Sequence, residues 1–408
     1  MTAPQFQLVV RTGHPSFLDL PWETPLEEWT SPRIVNLIRG ISRHVVRFVE
    51  YDGVLYALKE LPERPARREW TLLRRLEGQG LPVVEAVGLV TGRDGDLDAI
   101  LITRHLEYSL PYRTLFAGAA IPDLRTHLLN ALVELLARLH LRGFFWGDCS
   151  LSNALFRRDA GALAAYLVDA ETGELHGALS SGQRAYDIDI AQMNIVGELL
   201  DVDAEVGLPP DLDPDETGAE IGRRYATLWD ELMREEVFGP DERYRVDERL
   251  ERLNELGFDV EEIQLDATPG GYRLRLDPHV VEPGHHRHRL LRLTGLDAQE
   301  NQARRMLNDL ARFRESLERT QKRSLPDSVV AARWRDEVFE PTVAAVPEQL
   351  WAALPAAEVF HQVLEHRWFL SEQAGKDVGI DEAARSYVGS ELPTRRPERI
   401  VLEDPGVS

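Results

Sequence analysis

The chain has 408 residues, enough for two or three domains, and its 43% hydrophobic and 28% charged content is that of an ordinary water-soluble globular protein. With 47 basic against 69 acidic residues the net charge is −22, which excludes a general nucleic-acid or anionic-membrane binder while leaving room for a local basic site. A single cysteine, Cys149, excludes an internal disulfide framework and suits a reducing compartment.

The first residues have no basic segment leading into an apolar core, so no signal peptide is expected. No run reaches the roughly 18 apolar residues of a membrane span. The expected location is the cytoplasm. Residues 1–32 begin with a possible strand, Phe6 to Val10, and continue as a loop rich in Pro and Trp that reads as a segment packed over the next domain.

Residues 33–61 read as β-structure in three runs, broken near Gly40 and at Asp52-Gly53, a hairpin-type turn signal. In the third run Leu55, Ala57, Lys59 and Leu61 share one face. Lys59 therefore stands on an apolar face, where an ammonium is costly unless paired. Residues 65–76 follow as a helix opened by Pro65. Glu69 shares its buried face with Leu72, Leu73 and Leu76 at i, i+3, i+4 and i+7. An inward lysine and an inward carboxylate on consecutive elements predict an ion pair, with Glu63 as the other candidate partner. Two further strands, PVVEAVGLV and AILITR, flank a GRDGD turn within residues 81–103. The chain then leaves through Thr103 to Leu106, a linker whose backbone can meet a nucleotide base.

Residues 122–141 predict an amphipathic helix with a stripe of Leu128, Leu129, Leu132, Leu135, Leu136 and Leu139. It runs into GFFWGDCSLSNALFRRDAGALAAYLVDAE, Gly143 to Glu171. Asp148 precedes Asn153 by five positions, and after an RRDAG turn an apolar run ends at Asp169. A loop Asp, an Asn able to ligate metal and a second Asp at the end of a hairpin strand form the catalytic half of a kinase-type phosphotransfer site. Residues 185–200 read as the next buried helix. Asp187 and Asp189 stand at its start as caps, and one of them holds the catalytic loop from behind; Asp189 is preferred, because the apolar run begins immediately after it.

Eleven acidic and no basic residues lie between Arg184 and Arg223. The Pro-rich part of that stretch, residues 206–218, reads as a solvated linker. Residues 219–393 are largely helical, with a hairpin turning at Pro269-Gly270-Gly271, and the tail 394–408 is polar. His285, His286 and His288 have no Cys or acidic neighbour at zinc-ligand spacing, and they read as part of a basic loop. His361 and His366 are five apart, off one helical face, which excludes a zinc-protease motif. Cys149 has no evident His base and reads as a packing residue.

With Lys59, Glu69, Asp148, Asn153 and Asp169 in this order, residues 33–200 resemble the protein-kinase-like superfamily, and within it the bacterial lipopolysaccharide-core (Kdo and heptose) sugar kinases. The C-terminal half resembles a bacterial domain of unknown function attached to such kinases. The resemblance implies an α+β fold with a small antiparallel lobe at 33–106 and a helical lobe at 107–205, followed by the mainly helical domain at 219–393. It implies ATP and Mg²⁺ as cofactors, and a sugar, glycan or other small molecule as acceptor. Lys59 would hold the α- and β-phosphates and Glu69 would orient it. Ala57 would lie against the adenine, with Gly40 and Ser42 near the phosphates and Thr103 and His105 at the base. Asp148 would accept or orient the substrate hydroxyl, and Asn153 and Asp169 would hold Mg²⁺, a cation that takes oxygen ligands.

The departures from the family pattern are a glycine loop reduced to Gly40, with Ser42, Arg43 or His44 substituting through side chains, Trp146 two before the catalytic Asp, and Asp169-Ala170-Glu171 in place of Asp-Phe-Gly. No long activation segment separates Glu171 from Tyr186. These argue against a regulated protein kinase. The alternative reading is a nucleotide-binding pseudokinase that regulates a protein partner through the C-terminal domain. Neither a nucleic-acid partner nor a membrane span is expected.

Overall fold

The structure, a computed structural model, describes residues 6–36, 44–93, 95–112, 115, 123–208, 212–238, 249, 252–253, 258–260, 263–268, 271–276, 281–350, 353–374 and 378–394. Gly40, Ser42 and Arg43 lie outside them. Two compact units result, one built on Met1–Phe156 and Ala165–Tyr225, the other on Arg157–Ala164 and Ala226–Val401.

The first unit opens with a six-stranded antiparallel sheet in the order β1-β5-β6-β4-β3-β2. The strands are β1 (Gln7–Val10), β2 (Ile34–Val35), β3 (Val45–Tyr51), β4 (Val54–Leu61), β5 (Ala86–Thr91) and β6 (Ala99–Arg104). Asp52 and Gly53 join β3 to β4 with φ of 51° and 78°, the left-handed pair that a tight two-residue hairpin needs. One sheet face is covered by residues 17–29. Phe17, Trp22, Leu26 and Trp29 form a continuous core with Val49, Tyr56, Leu58 and Ile102. The fully buried Arg93 side chain pins that cover, donating to the carbonyls of Trp22 and Asp98 and to Glu60. A buried guanidinium needs this number of acceptors.

The strand alternation therefore sends Tyr56 and Leu58 to the covered face and Ala57 and Lys59 to the other. Helix α1 (Glu63–Gly78) packs on β5 and β6. It begins two residues before Pro65, with Pro62 at the capping position, so Glu63 is helical and engages Arg67 and the Gly92 N–H rather than Lys59. The helical lobe adds α2 (Leu124–Leu141), the short pair β7 (Phe144–Phe145) with β10 (Glu174–Leu175), the hairpin β8 (Ala154–Asp159) with β9 (Ala162–Leu167), and α3 (Ser181–Val206). All six leucines of the expected α2 stripe are buried. Helix α3 starts four residues before the expected Ala185. Ser180 caps it, exchanging hydrogen bonds with Gln183, so neither Asp187 nor Asp189 is the cap. Its 26 residues carry it beyond the expected end as well.

Residues 206–218, expected as linker, contain the start of α4 (Pro214–Met233), and the division between units falls inside that helix.

In the second unit the hairpin β13 (Ile263–Thr268) and β14 (Gly271–Leu276) stands where the sequence puts it, joined by β11 (Glu236–Phe238); β12 (Phe258–Val260) pairs with β15 (Val281–Pro283). The helices are α5 (His285–Thr294), α6 (Glu300–Gln321), α7 (Asp327–Trp334), α8 (Glu340–Ala344), α9 (Ala356–Ala374) and α10 (Ile380–Ser390). Met306, Leu310, Val330, Trp334, Phe339 and Phe360 centre one core, and Val363, Ala384 and Tyr387 a second. Buried Asp159 accepts from the first N–H groups of α6 at Asn301 and Gln302, 3.1 and 2.8 Å away, which satisfies donors that have no intrahelical partner. Among the described residues no helix is long and apolar enough to cross a membrane.

Candidate active site

Lys59 and Glu69 meet as the two periodicities require. Lys59 Nζ lies 3.0 Å from Glu69 Oε2, and Glu69 is 1% exposed. The tertiary fold brings two more carboxylates to the same ammonium: Asp169 Oδ2 at 2.6 Å and Glu171 Oε2 at 3.3 Å. His44 Nε2 reaches Glu171 Oε2 at 2.8 Å, and the Ala170 N–H approaches Glu69 Oε1 at 3.4 Å. Asp169 itself receives the Glu171 N–H at 2.9 Å. Burial works against the Lys59 ammonium, but the Glu69 and Asp169 carboxylates outweigh it and push its pKa up to about 12. Three carboxylates share one lysine, so the cluster carries surplus negative charge. Burial, and next the Asp169 charge, push the deepest member, Glu69, up to about 8 against the pull of Lys59.

Asp148 is half-buried on the loop after β7. Asn153 Nδ2 donates to the Asp148 backbone oxygen at 3.0 Å and to its Oδ2 at 3.2 Å. Both partners are acceptors, so the amide nitrogen faces them and the amide oxygen points away. The other carboxylate oxygen of Asp148 receives Asn194 Nδ2 at 3.0 Å.

The loop is held from behind by Asp187, not Asp189. Asp187 is fully buried and accepts the Trp146 and Gly147 N–H groups at 2.7 and 2.8 Å; His140 Nε2 lies 3.0 Å from it. Asp189 is exposed. Nearness to the apolar run does not decide the anchor, because α3 begins at Ser181 and its buried face already includes Asp187. Glu198 further along α3 accepts the Leu151 and Ser152 N–H groups at 2.6 and 3.0 Å. Trp146, odd by the family pattern, is fully buried and useful here. Its indole N–H donates to the Asp169 carbonyl at 3.0 Å, and its own carbonyl accepts Thr172 Oγ1 at 2.9 Å, which ties the loop to the Asp169 strand end. Gly143 lets β7 approach closely. Its φ is 74°, and a Cβ there would sit 2.3 Å from the His176 carbonyl oxygen.

Ala57 is half-buried beside Lys59 on β4 and pairs with Phe48 and Thr103. Thr103 lies inside the sheet, paired with Ala57 and Ala86, and the His105 N–H donates to the Leu55 carbonyl at 2.9 Å. That His105 N–H is therefore engaged within the sheet. Asn194, Glu198, Glu171 and His140 were missed in the sequence reading. Asp187, Asn194 and Glu198 recur at i, i+7 and i+11, a polar row on one face of an otherwise apolar helix, and that spacing was a readable signal.

The fit to a divalent cation is good in donor chemistry. Glu69, Asp169 and Glu171 bring carboxylate oxygens within 4.8 Å of one another, the oxygen donors a hard divalent cation takes. It is the only such acidic or imidazole cluster among the described residues. The His285–His288 segment forms none. There Glu300 takes the His286 ring at 2.6 Å and the His286 and Arg287 N–H groups, as a helix cap. Cys149 is fully buried, and burial raises its thiol pKa well above the ordinary value, which makes it a packing residue.

A small antiparallel lobe with a lysine–glutamate pair, followed by a helical lobe with an Asp–Asn loop and an Asp-ended hairpin, is the two-lobed protein-kinase-like arrangement. Residues 52–200 match the family described as Lipopolysaccharide kinase (Kdo/WaaP), and residues 227–392 match a domain of unknown function, DUF4032. The chain thus resembles lipopolysaccharide kinases in its first unit and that uncharacterised domain in its second. A solved structure described as WaaP in complex with acyl carrier protein is 18% identical, over 61% of this chain and 99% of that one, with a TM-score of 0.37. No curated protein matches the chain in sequence.

Proposed function

We propose that the first unit is an ATP- and Mg²⁺-dependent phosphotransferase whose acceptor is a hydroxyl of a sugar, a glycan or another small molecule. The observation that carries this reading is the convergence of Lys59, Glu69 and Asp169 within 3.0 Å contacts, beside a loop that fixes Asp148 and Asn153 together. The Kdo/WaaP match supports a sugar-type acceptor. Phosphoryl transfer is mainly a matter of position and charge neutralisation. Lys59 exchanges Asp169 and Glu171 for phosphate oxygens, while buried Glu69 keeps its direction. Asn153 and Asp169 would hold Mg²⁺, which supplies further positive charge to the phosphates when bound. Asp148, its two oxygens oriented by Asn153 and Asn194, takes the hydroxyl proton or aligns that hydroxyl.

The test is ATP turnover in a metabolite-extract screen for new phosphorylated products. The intact protein yields a product and Asp148→Asn does not. Turnover unchanged in Asp148→Asn refutes the assignment.

A second reading has its own support: Lys59 already engages Asp169 and Glu171, and His44 engages Glu171. On that reading the unit binds nucleotide without transferring phosphate and regulates a protein partner through residues 219–393. Thermal shift separates the two. Stabilisation by ATP that needs Mg²⁺ and vanishes in Asp169→Ala supports the assembled metal site, whereas metal-independent stabilisation supports the regulatory module.

A further inference from the structure

The second unit holds a groove of about 980 Å³ lined by α6 and α9, with Val338 and Ile380 also in its wall. That is near the upper end for small-ligand pockets, roughly 300–1,000 Å³. The opposite stripe of α6, Ala303, Met306, Leu307 and Leu310, is committed to the core. The groove face of α6 is a second, mixed one, with Arg305, Asp309, Arg312 and Phe313 at helical spacing.

Its charge is unusual for this protein. The groove carries three guanidiniums (Arg305, Arg312 and Arg367) against two carboxylates, in a chain of net charge −22. Both carboxylates are engaged from within. Asp309 accepts the indole N–H of Trp334 at 2.8 Å. Glu365 faces Arg305 at 3.0 Å and the buried His361 ring at 3.3 Å. The Arg305 guanidinium also lies 3.5 Å from His361 Nδ1. Arg312 is exposed and makes no ion pair among the described residues. Trp368 and Phe369 stand at the same rim, 67% and 49% exposed. Large aromatics left in water beside an uncompensated guanidinium are the surface that a flat anionic ligand covers.

We propose that this groove binds a small organic anion, a phosphate or carboxylate carried on a flat apolar body. The ring lies against Trp368 and Phe313, and the anionic group meets Arg312. A bidentate guanidinium contact suits either acid.

The full chain is titrated calorimetrically with naphthyl phosphate, naphthoate and uncharged naphthol. At least one anion binds saturably, and about 10-fold more tightly than naphthol, the value of one charge-assisted contact. Naphthyl phosphate ahead of naphthoate identifies a phosphate ligand, and the reverse order a carboxylate. Arg312→Glu removes that preference and leaves naphthol unchanged; Trp368→Ala weakens all three. Both positions are exposed, so the variants keep the fold, and a circular-dichroism melt checks it. Naphthol binding as tightly as both anions, or anion binding unchanged in both variants, overturns the proposal.

Discussion

Replacing Asp187 with alanine isolates the anchor of the Asp148 loop. The side chain is fully buried and accepts from Trp146 N, Gly147 N and His140 Nε2 at 2.7, 2.8 and 3.0 Å. The alanine leaves three donors without their acceptor in a site closed by Trp146. At about 1–3 kcal/mol for each buried unpaired group, partly offset by water entering the space, the expected loss is about 3–6 kcal/mol. Urea unfolding followed by far-ultraviolet circular dichroism measures it, with exposed Asp189→Ala as control. The control should shift stability by less than about 0.5 kcal/mol. The loop also positions Asp148, so Asp187→Ala should lower ATP turnover in the protein that remains folded. A loss below about 1 kcal/mol, or equal losses at 187 and 189, refutes the anchoring argument.

Three further outcomes are expected. Lys59→Met leaves Glu69, Asp169 and Glu171 facing one another without an ammonium; it should cost about 3–5 kcal/mol in the same unfolding assay and abolish turnover. Glu69 has its folded pKa raised to about 8 from 4.5, so its contribution favours the folded state below the lower value and is lost as pH rises through the upper one. Melting temperature should therefore fall from pH 5 to pH 8 more steeply in the parent than in Glu69→Gln, and parallel curves would contradict this. Trp146→Phe keeps an aromatic ring, though a smaller one, and drops the bond to the Asp169 carbonyl. It should cost about 1 kcal/mol and weaken the Mg²⁺-dependent part of the ATP thermal shift, which a purely packing role would leave intact.

The Lys59–Glu69 pair was legible in the sequence because each partner rests on a local rule. Strand alternation and helical spacing turn a side chain inward whatever the rest of the fold does. A buried charge then demands a partner. The hairpin at Asp52-Gly53 was legible for the same reason, since few residues tolerate the left-handed angles seen there. The start of α3 is not marked by the apolar run, because the helix begins at the Ser180 cap and its first turns are polar.

Local pattern thus determined which elements form, which residues turn inward and which charges need partners. Only the tertiary structure decided who the partners are. Glu171 joins Lys59 from 112 positions away, and Asn194 reaches Asp148 across 46. Asp187 rather than Asp189 holds the loop, because that choice depends on which face of α3 meets β7. Trp146, odd in the sequence, becomes a strut once Asp169 lies under its ring nitrogen. Periodicity is a property of one element, whereas hydrogen-bond partners are a property of two, and the second appears only when the chain has closed on itself.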